Sequence, residues 1–193
     1  MKRNRIADLT NQVESKKIDT DFYVEGHATT FERYPLFKIG EDIIYEQIER
    51  TAIDNAIMED VVFLYDHVGI PYARQSNNTL RLEVDSKGLL ICADLGKTQR
   101  TKSLYEDIST GLVTRMSWAF KVAPEGSYFD ESTNTIHITK VEKVVDVSAV
   151  TDPANDQTDI GTRSKKLVDD YFLKKDKNRQ RKKLEILLKL GGN

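Results

Sequence analysis

From Phe22 to Val150 the apolar residues come in short runs, and nearly every run ends at a turn signal. That pattern constrains the fold more than any other feature of the chain. Val24 and Gly26 alternate with Tyr23, Glu25 and His27, and Thr29–Phe31 prolongs the run. Ile43–Tyr45 forms a short run, and Val61–Tyr65 is continuously apolar, with Gly69 and Pro71 as its expected end. Leu80, Leu82 and Val84 alternate with Arg81 and Glu83, Asp85-Ser86-Lys87-Gly88 turns the chain, and Leu89–Leu95 returns it. Val113–Val122, Thr135–Thr139 and Val141–Val150 come next, with Ser127–Asn134 read as a loop. Alternation at period two, or a short buried run between turn residues, is strand language. Two helices are expected. A short one is capped by Thr51, with Ile53, Ala56 and Ile57 on one face. The other covers 98–110, with Leu104 and Ile108 four apart and Gly111 as its stop. The expected fold is α+β and mainly β, with six to eight short strands and flanking helices. A closed or nearly closed barrel is the natural architecture, because closure removes exposed strand edges.

Charge separates the end of the chain from the rest. Residues 163–193 hold 11 Lys/Arg against 4 Asp/Glu, and residues 1–162 hold 18 against 27. The formal charges are thus +7 and −9, which sum to the −2 of the whole 193-residue chain. In the tail, Leu167, Val168, Tyr171 and Phe172, then Leu184, Leu187 and Leu188, fall at helical spacing among the basic residues. We expect a polar lead-in over 1–17, a body over 18–162 and a basic amphipathic helical tail over 163–193. The single cysteine, Cys92, excludes a disulfide framework and any multi-cysteine metal site. Three scattered histidines and the lack of HExxH argue against a metal centre, and no phosphate-binding glycine motif occurs. No cofactor is expected. Neither a signal peptide nor an apolar run near the ~20 residues of a membrane helix is visible, so an intracellular protein without membrane contact is expected. The tail lacks the interleaved aromatics of a single-strand binder, which ranks nucleic acid low as a partner.

Few residues are candidates for chemistry. Within Val113–Val122, period two puts Met116, Trp118, Phe120 and Val122 on one face and Arg115, Ser117, Ala119 and Lys121 on the other. Ser117 is either a small polar residue on a solvated face or a serine offered by a rigid strand. His67 emerges from a buried run, as a turn histidine or as part of a site. Asp146 interrupts a β-branched run, where an acid must find a partner or face water. His137 alternates with Ile136 and Ile138, as a surface residue or a spare member of a catalytic set. A serine, a histidine and an acid on separate strands form a candidate acyl-transfer set, though composition alone does not select it.

The order of the motifs adds to this. The chain reads Glu25-Gly26-His27-Ala28, Leu64-Tyr65-Asp66-His67, Gly88-Leu89-Leu90-Ile91-Cys92-Ala93 and Gly111-Leu112-Val113-Thr114-Arg115-Met116-Ser117-Trp118-Ala119-Phe120. It ends with Val145-Asp146-Val147-Ser148-Ala149-Val150-Thr151-Asp152-Pro153-Ala154. Over roughly residues 20–160 this series closely resembles the prohead maturation proteases of tailed bacteriophages. These are serine proteases with a fold similar to the herpesvirus capsid protease, assemblin. The resemblance implies Ser117 as nucleophile, His67 as base and Asp146 as third member, at a position where the family most often carries Glu. Assemblin uses a second histidine as its third member, and His137 is the candidate for that variant. Arg115, on the face of Ser117, is a candidate oxyanion helper. The family's usual aromatic after Pro153-Ala154 is replaced by Asn155. The implied substrates are the scaffolding segment of the major capsid protein, scaffold protein and the protease itself. They would be cut inside the assembling procapsid in the host cell cytoplasm, and a homo-oligomer is compatible with this role. The rival readings are a non-catalytic assembly protein and a nucleic-acid-binding module built on the tail.

Overall fold

A computed structural model describes residues 9–10, 16–39 and 41–151, together with Val168, Phe172, Leu173, Lys177 and Gln180. The chain divides into two compact units, Met1–Asn155 and Asp156–Asn193. The five described residues of the second unit are helical, and the rest of the expected basic tail lies outside the described residues. Most of the expected lead-in lies outside them too. Within it, Leu9 is buried, and Thr10 and Glu25 exchange two backbone hydrogen bonds of 2.8 Å.

The first unit is mainly β. Its strands are β1 (Tyr23–Thr30), β2 (Tyr34–Ile39), β3 (Asp42–Ile48), β4 (Val62–Tyr65), β5 (Val68–Arg74), β6 (Leu80–Val84) and β7 (Gly88–Asp94). Helix α1 (Gln99–Ser109) comes next, then β8 (Arg115–Val122), β9 (Ser127–Asp130), β10 (Thr135–Ile138) and β11 (Val141–Val150). They form three sheets, in the orders β1-β7-β6, β2-β3-β10-β9 and β5-β4-β11-β8. No sheet closes on itself among the described residues, so the pairings give three open sheets rather than a continuous barrel ring.

The strands exceed the expected six to eight for identifiable reasons. The chain reverses at Asp66-His67 rather than at Gly69 and Pro71, and those two residues fall inside β5. Proline is tolerated there because β5 is an edge strand. The pairing also breaks at this point: Phe63 opposes Ala73 and Tyr65 opposes Val68, so Gly69–Tyr72 bulge out against Leu64. Pro35 hides β2 in the same way, on an edge and beside a bulge. Ser127–Asp130, read as loop, pairs with β10, and the Asp130 carboxylate accepts from Ser132 and Thr133 to close the turn. The expected helix after Thr51 is a single 3-10 turn, Arg50–Ile53, with Ala52 and Ile53 buried.

Helix α1 forms as its sequence directs. Thr98 accepts from the Thr101 N–H, and the Thr101 hydroxyl accepts from the Thr98 N–H, which closes a capping box. Gly111 has φ +77°, and its N–H and that of Leu112 bond back to the carbonyls of Ile108 and Asp107. This is a Schellman stop, and it aims the chain into β8. The apolar positions of β3, β4, β7, β10 and β11 supply the core, with Ile44, Ile48, Phe63, Leu89, Ile91, Ile136 and Val147 essentially inaccessible. β7 is buried along its whole length, as expected of a central strand covered on both faces.

Candidate active site

One sheet carries all the candidate residues except His137. β11 lies between β4, which runs parallel to it, and β8, which runs antiparallel. On β8 the expected alternation holds: Met116, Trp118, Phe120 and Val122 are buried, while Arg115, Ser117 and Ala119 are partly exposed. Trp118 and Phe120 stack with centroids 4.1 Å apart.

The face presented by Asp146 depends on a bulge. Val144 opposes Phe120, but Asp146 opposes Ala119, so Val145 is an extra residue on β11. Side chains two apart on a regular strand share a face, and one inserted residue moves every later side chain to the opposite face. Were β11 regular through Val145, Asp146 would join Val144 and Phe120 in the core. With Val145 bulged out, Asp146 and Ser148 lie on the face of Ser117, and Ser148 stands directly opposite Ser117.

His67 reaches this face from the β4–β5 hairpin. Its two-residue turn has φ +48° at Asp66 and +60° at His67, the positive pair that a type I′ turn requires. Positive φ is costly for histidine, and the turn is held from outside. The Asp66 N–H donates to the Ala149 carbonyl at 2.9 Å, and the Asp66 carboxylate accepts from the N–H and hydroxyl of Thr151. His67 is thereby fixed to the end of the strand that carries Asp146.

The structure joins His67 to Asp146, with Nδ1 2.6 Å from Oδ1. Asp146 is 6% exposed. The Ser148 hydroxyl donates to the same Oδ1 at 2.8 Å and lies 3.2 Å from Nδ1. A carboxylate only accepts, so Nδ1 carries a proton and Nε2 is left as the basic nitrogen. Ser117 lies one strand from this cluster, and opposed Cβ atoms of antiparallel strands are about 5 Å apart. No hydrogen bond among the described residues links Ser117 to His67. Arg115 lies on the same face, opposite Val150, and forms no ion pair among the described residues.

His137 is elsewhere. It lies on β10 in another sheet, with Nδ1 2.7 Å from Glu49 and its ring stacked on Tyr128 at 4.8 Å. The structure does not bring it to His67. Sequence reasoning missed Ser148, Asp66 and the Val145 bulge. The available signal for Ser148 was its position two residues from Asp146, which puts both on one face of a strand.

The chain matches the family model of caudovirus prohead serine proteases over residues 11–170. It belongs to that family. It is therefore a serine protease, a hydrolase acting on peptide bonds, with a role in capsid maturation within the assembling phage procapsid. No curated protein and no solved structure matches the chain. Among the described residues no helix of this prohead protease is long and apolar enough to cross a membrane.

Proposed function

We propose that Ser117 is the nucleophile of this prohead protease, His67 its general base and Asp146 the group that orients the base and stabilises its charged form. The observation that carries the reading is the 2.6 Å bond between His67 and Asp146 on the sheet face that also holds Ser117. Ser117 Oγ attacks the scissile carbonyl carbon while its proton passes to His67 Nε2. The C–N bond then breaks, and the imidazolium returns that proton to the leaving amine. Water, deprotonated by the same nitrogen, hydrolyses the acyl-enzyme and restores the Ser117 hydroxyl. Asp146 holds Nδ1–H and offsets the positive charge that each half-reaction places on the ring. Arg115, two residues from Ser117 and without an ion-pair partner among the described residues, is positioned to steady the oxyanion with backbone N–H groups. His137 has no part in this reading.

The substrates in this reading are the scaffolding segment of the major capsid protein, scaffold protein and the chain's own basic tail. Co-expression with the matching capsid protein, then mass spectrometry of the products, tests it. Wild type should yield a shortened capsid protein, and Ser117→Ala an uncut one. A Ser117→Ala chain that still shortens capsid protein would sink the assignment.

A further inference from the structure

We infer that Ser148 is a positioning residue of this protease, one that holds the Asp146 carboxylate and fixes the tautomer of His67. The inference rests on the triad proposed above and adds a fourth member to it. Its basis is how the hydroxyl is employed. Ser148 is inaccessible to solvent, at 0% exposure, so it cannot meet a substrate. A buried hydroxyl needs partners, and most side-chain hydrogen bonds go to the backbone or to water. Both partners of this one are side chains: Asp146 Oδ1 at 2.8 Å and His67 Nδ1 at 3.2 Å. Core packing alone would be served by the alanine or valine that flank it in the sequence.

The proton count determines the role. A serine hydroxyl has one proton to donate. The anionic oxygen is the stronger acceptor and takes it. A lone pair of Ser148 then faces Nδ1 and accepts only from an Nδ1–H. Oδ1 and Ser148 Oγ together leave Nδ1 no donor to accept from, so the tautomer with a bare Nδ1 is excluded and Nε2 stays basic. The second donor on Oδ1 also stops the carboxylate rotating away from the ring. The bulge at Val145 brings Asp146 and Ser148 to this face together, because they are two residues apart on one strand.

The charged and titratable groups around His67 are Asp146 on β11, Asp66 in its own turn, Tyr65 at the end of β4 and Arg115 on β8. Asp107 of α1 acts on Tyr65. Of these, only Asp146 bonds Nδ1. Removing the Ser148 hydroxyl frees the Asp146 carboxylate to turn from the ring. The imidazolium is then held less tightly, at rest and in the transition state.

The test is the rate at which a fluorophosphonate labels the full-length chain across pH, for wild type, Ser148→Ala and Ser117→Ala. The acid limb of that profile reports the base of the free enzyme. Ser148→Ala should label about tenfold more slowly at neutral pH, the scale of one lost hydrogen bond to a charged group. Its inhibitor affinity should be unchanged and its acid limb should lie at lower pH. A wild-type rate and limb would overturn the inference. So would a smaller labelled fraction with an unmoved limb, which is the signature of a merely structural residue. If Ser148→Ala does not fold, Ser148→Cys carries the same test, since its thiol is a weak donor in nearly the same shape. Undiminished labelling of Ser117→Ala would instead overturn the triad itself.

Discussion

The substitution Asp146→Asn separates the charge of the proposed third member from its geometry. Both side-chain hydrogen bonds that Asp146 accepts, from His67 and from Ser148, fall on Oδ1. An asparagine can place its carbonyl oxygen at that position and accept both. The His67 tautomer is then retained, and the loss is that of a negative charge beside the imidazolium. With charge centres about 4 Å apart and an effective dielectric constant near 20, that interaction is worth about 4 kcal/mol. The nucleophilic step should slow by about 10³-fold, since each ~1.4 kcal/mol of barrier is a factor of ten. This lies below the roughly 10⁴-fold loss expected where the amide imposes the wrong tautomer. The assay is the fluorophosphonate labelling rate at pH 7, with thermal unfolding to show that the fold is kept. His137→Ala, run beside it, should label at close to the wild-type rate, because that ring bonds Glu49 in another sheet. A loss under tenfold for Asp146→Asn would refute the charge argument. A greater loss for His137→Ala than for Asp146→Asn would show that the second histidine is the third member.

Two further outcomes concern the scaffold. A Cβ at Gly88 would sit 2.0 Å from the Thr29 carbonyl oxygen and 2.7 Å from Thr30 Cα, both backbone atoms that cannot swing aside. Gly88→Ala should therefore cost about 1–3 kcal/mol or more, read as a fall in Tm, and an unchanged Tm would mean the β1–β7 pairing yields more easily than its geometry implies. Burial pushes the Asp94 carboxyl up, but donation from Lys97, the Gly96 N–H and Thr20 outweighs it and holds the group below the usual carboxylate range. A depressed pKa stabilises the folded chain above the unfolded pKa, and that stability is lost as pH falls through the folded value. Asp94→Asn should thus be less stable than wild type at pH 7, with the gap narrowing below about pH 4. A gap that stays constant down to pH 3 would contradict the cause given.

Much of this site could be read from residue order, and the parts that could not have physical reasons. The alternation of β8 is regular, so Ser117 and Arg115 separate from Met116, Trp118 and Phe120 at once. The α1 boundaries announce themselves through Thr98 and Gly111. The bulge does not, because Val144-Val145-Asp146-Val147 reads as the same β-branched run with or without an extra residue. Only the register against β8 reveals that Asp146 leaves the core face. The turn at Asp66-His67 was masked by Gly69 and Pro71, which are stronger punctuation yet lie in a bulged edge strand. The identity of a turn residue says little when a contact far along the chain, here with Ala149 and Thr151, stabilises its positive φ.

Whether Ser117 is a serine activated by His67 can be addressed directly by one labelling experiment. The full-length protein is treated with a fluorophosphonate, digested and mapped by mass spectrometry, beside His67→Ala handled identically. A triad built on Ser117 predicts one stoichiometric adduct on that residue in the wild type, reduced by orders of magnitude in His67→Ala. An adduct on any other serine, or labelling of Ser117 at an equal rate without His67, would contradict it.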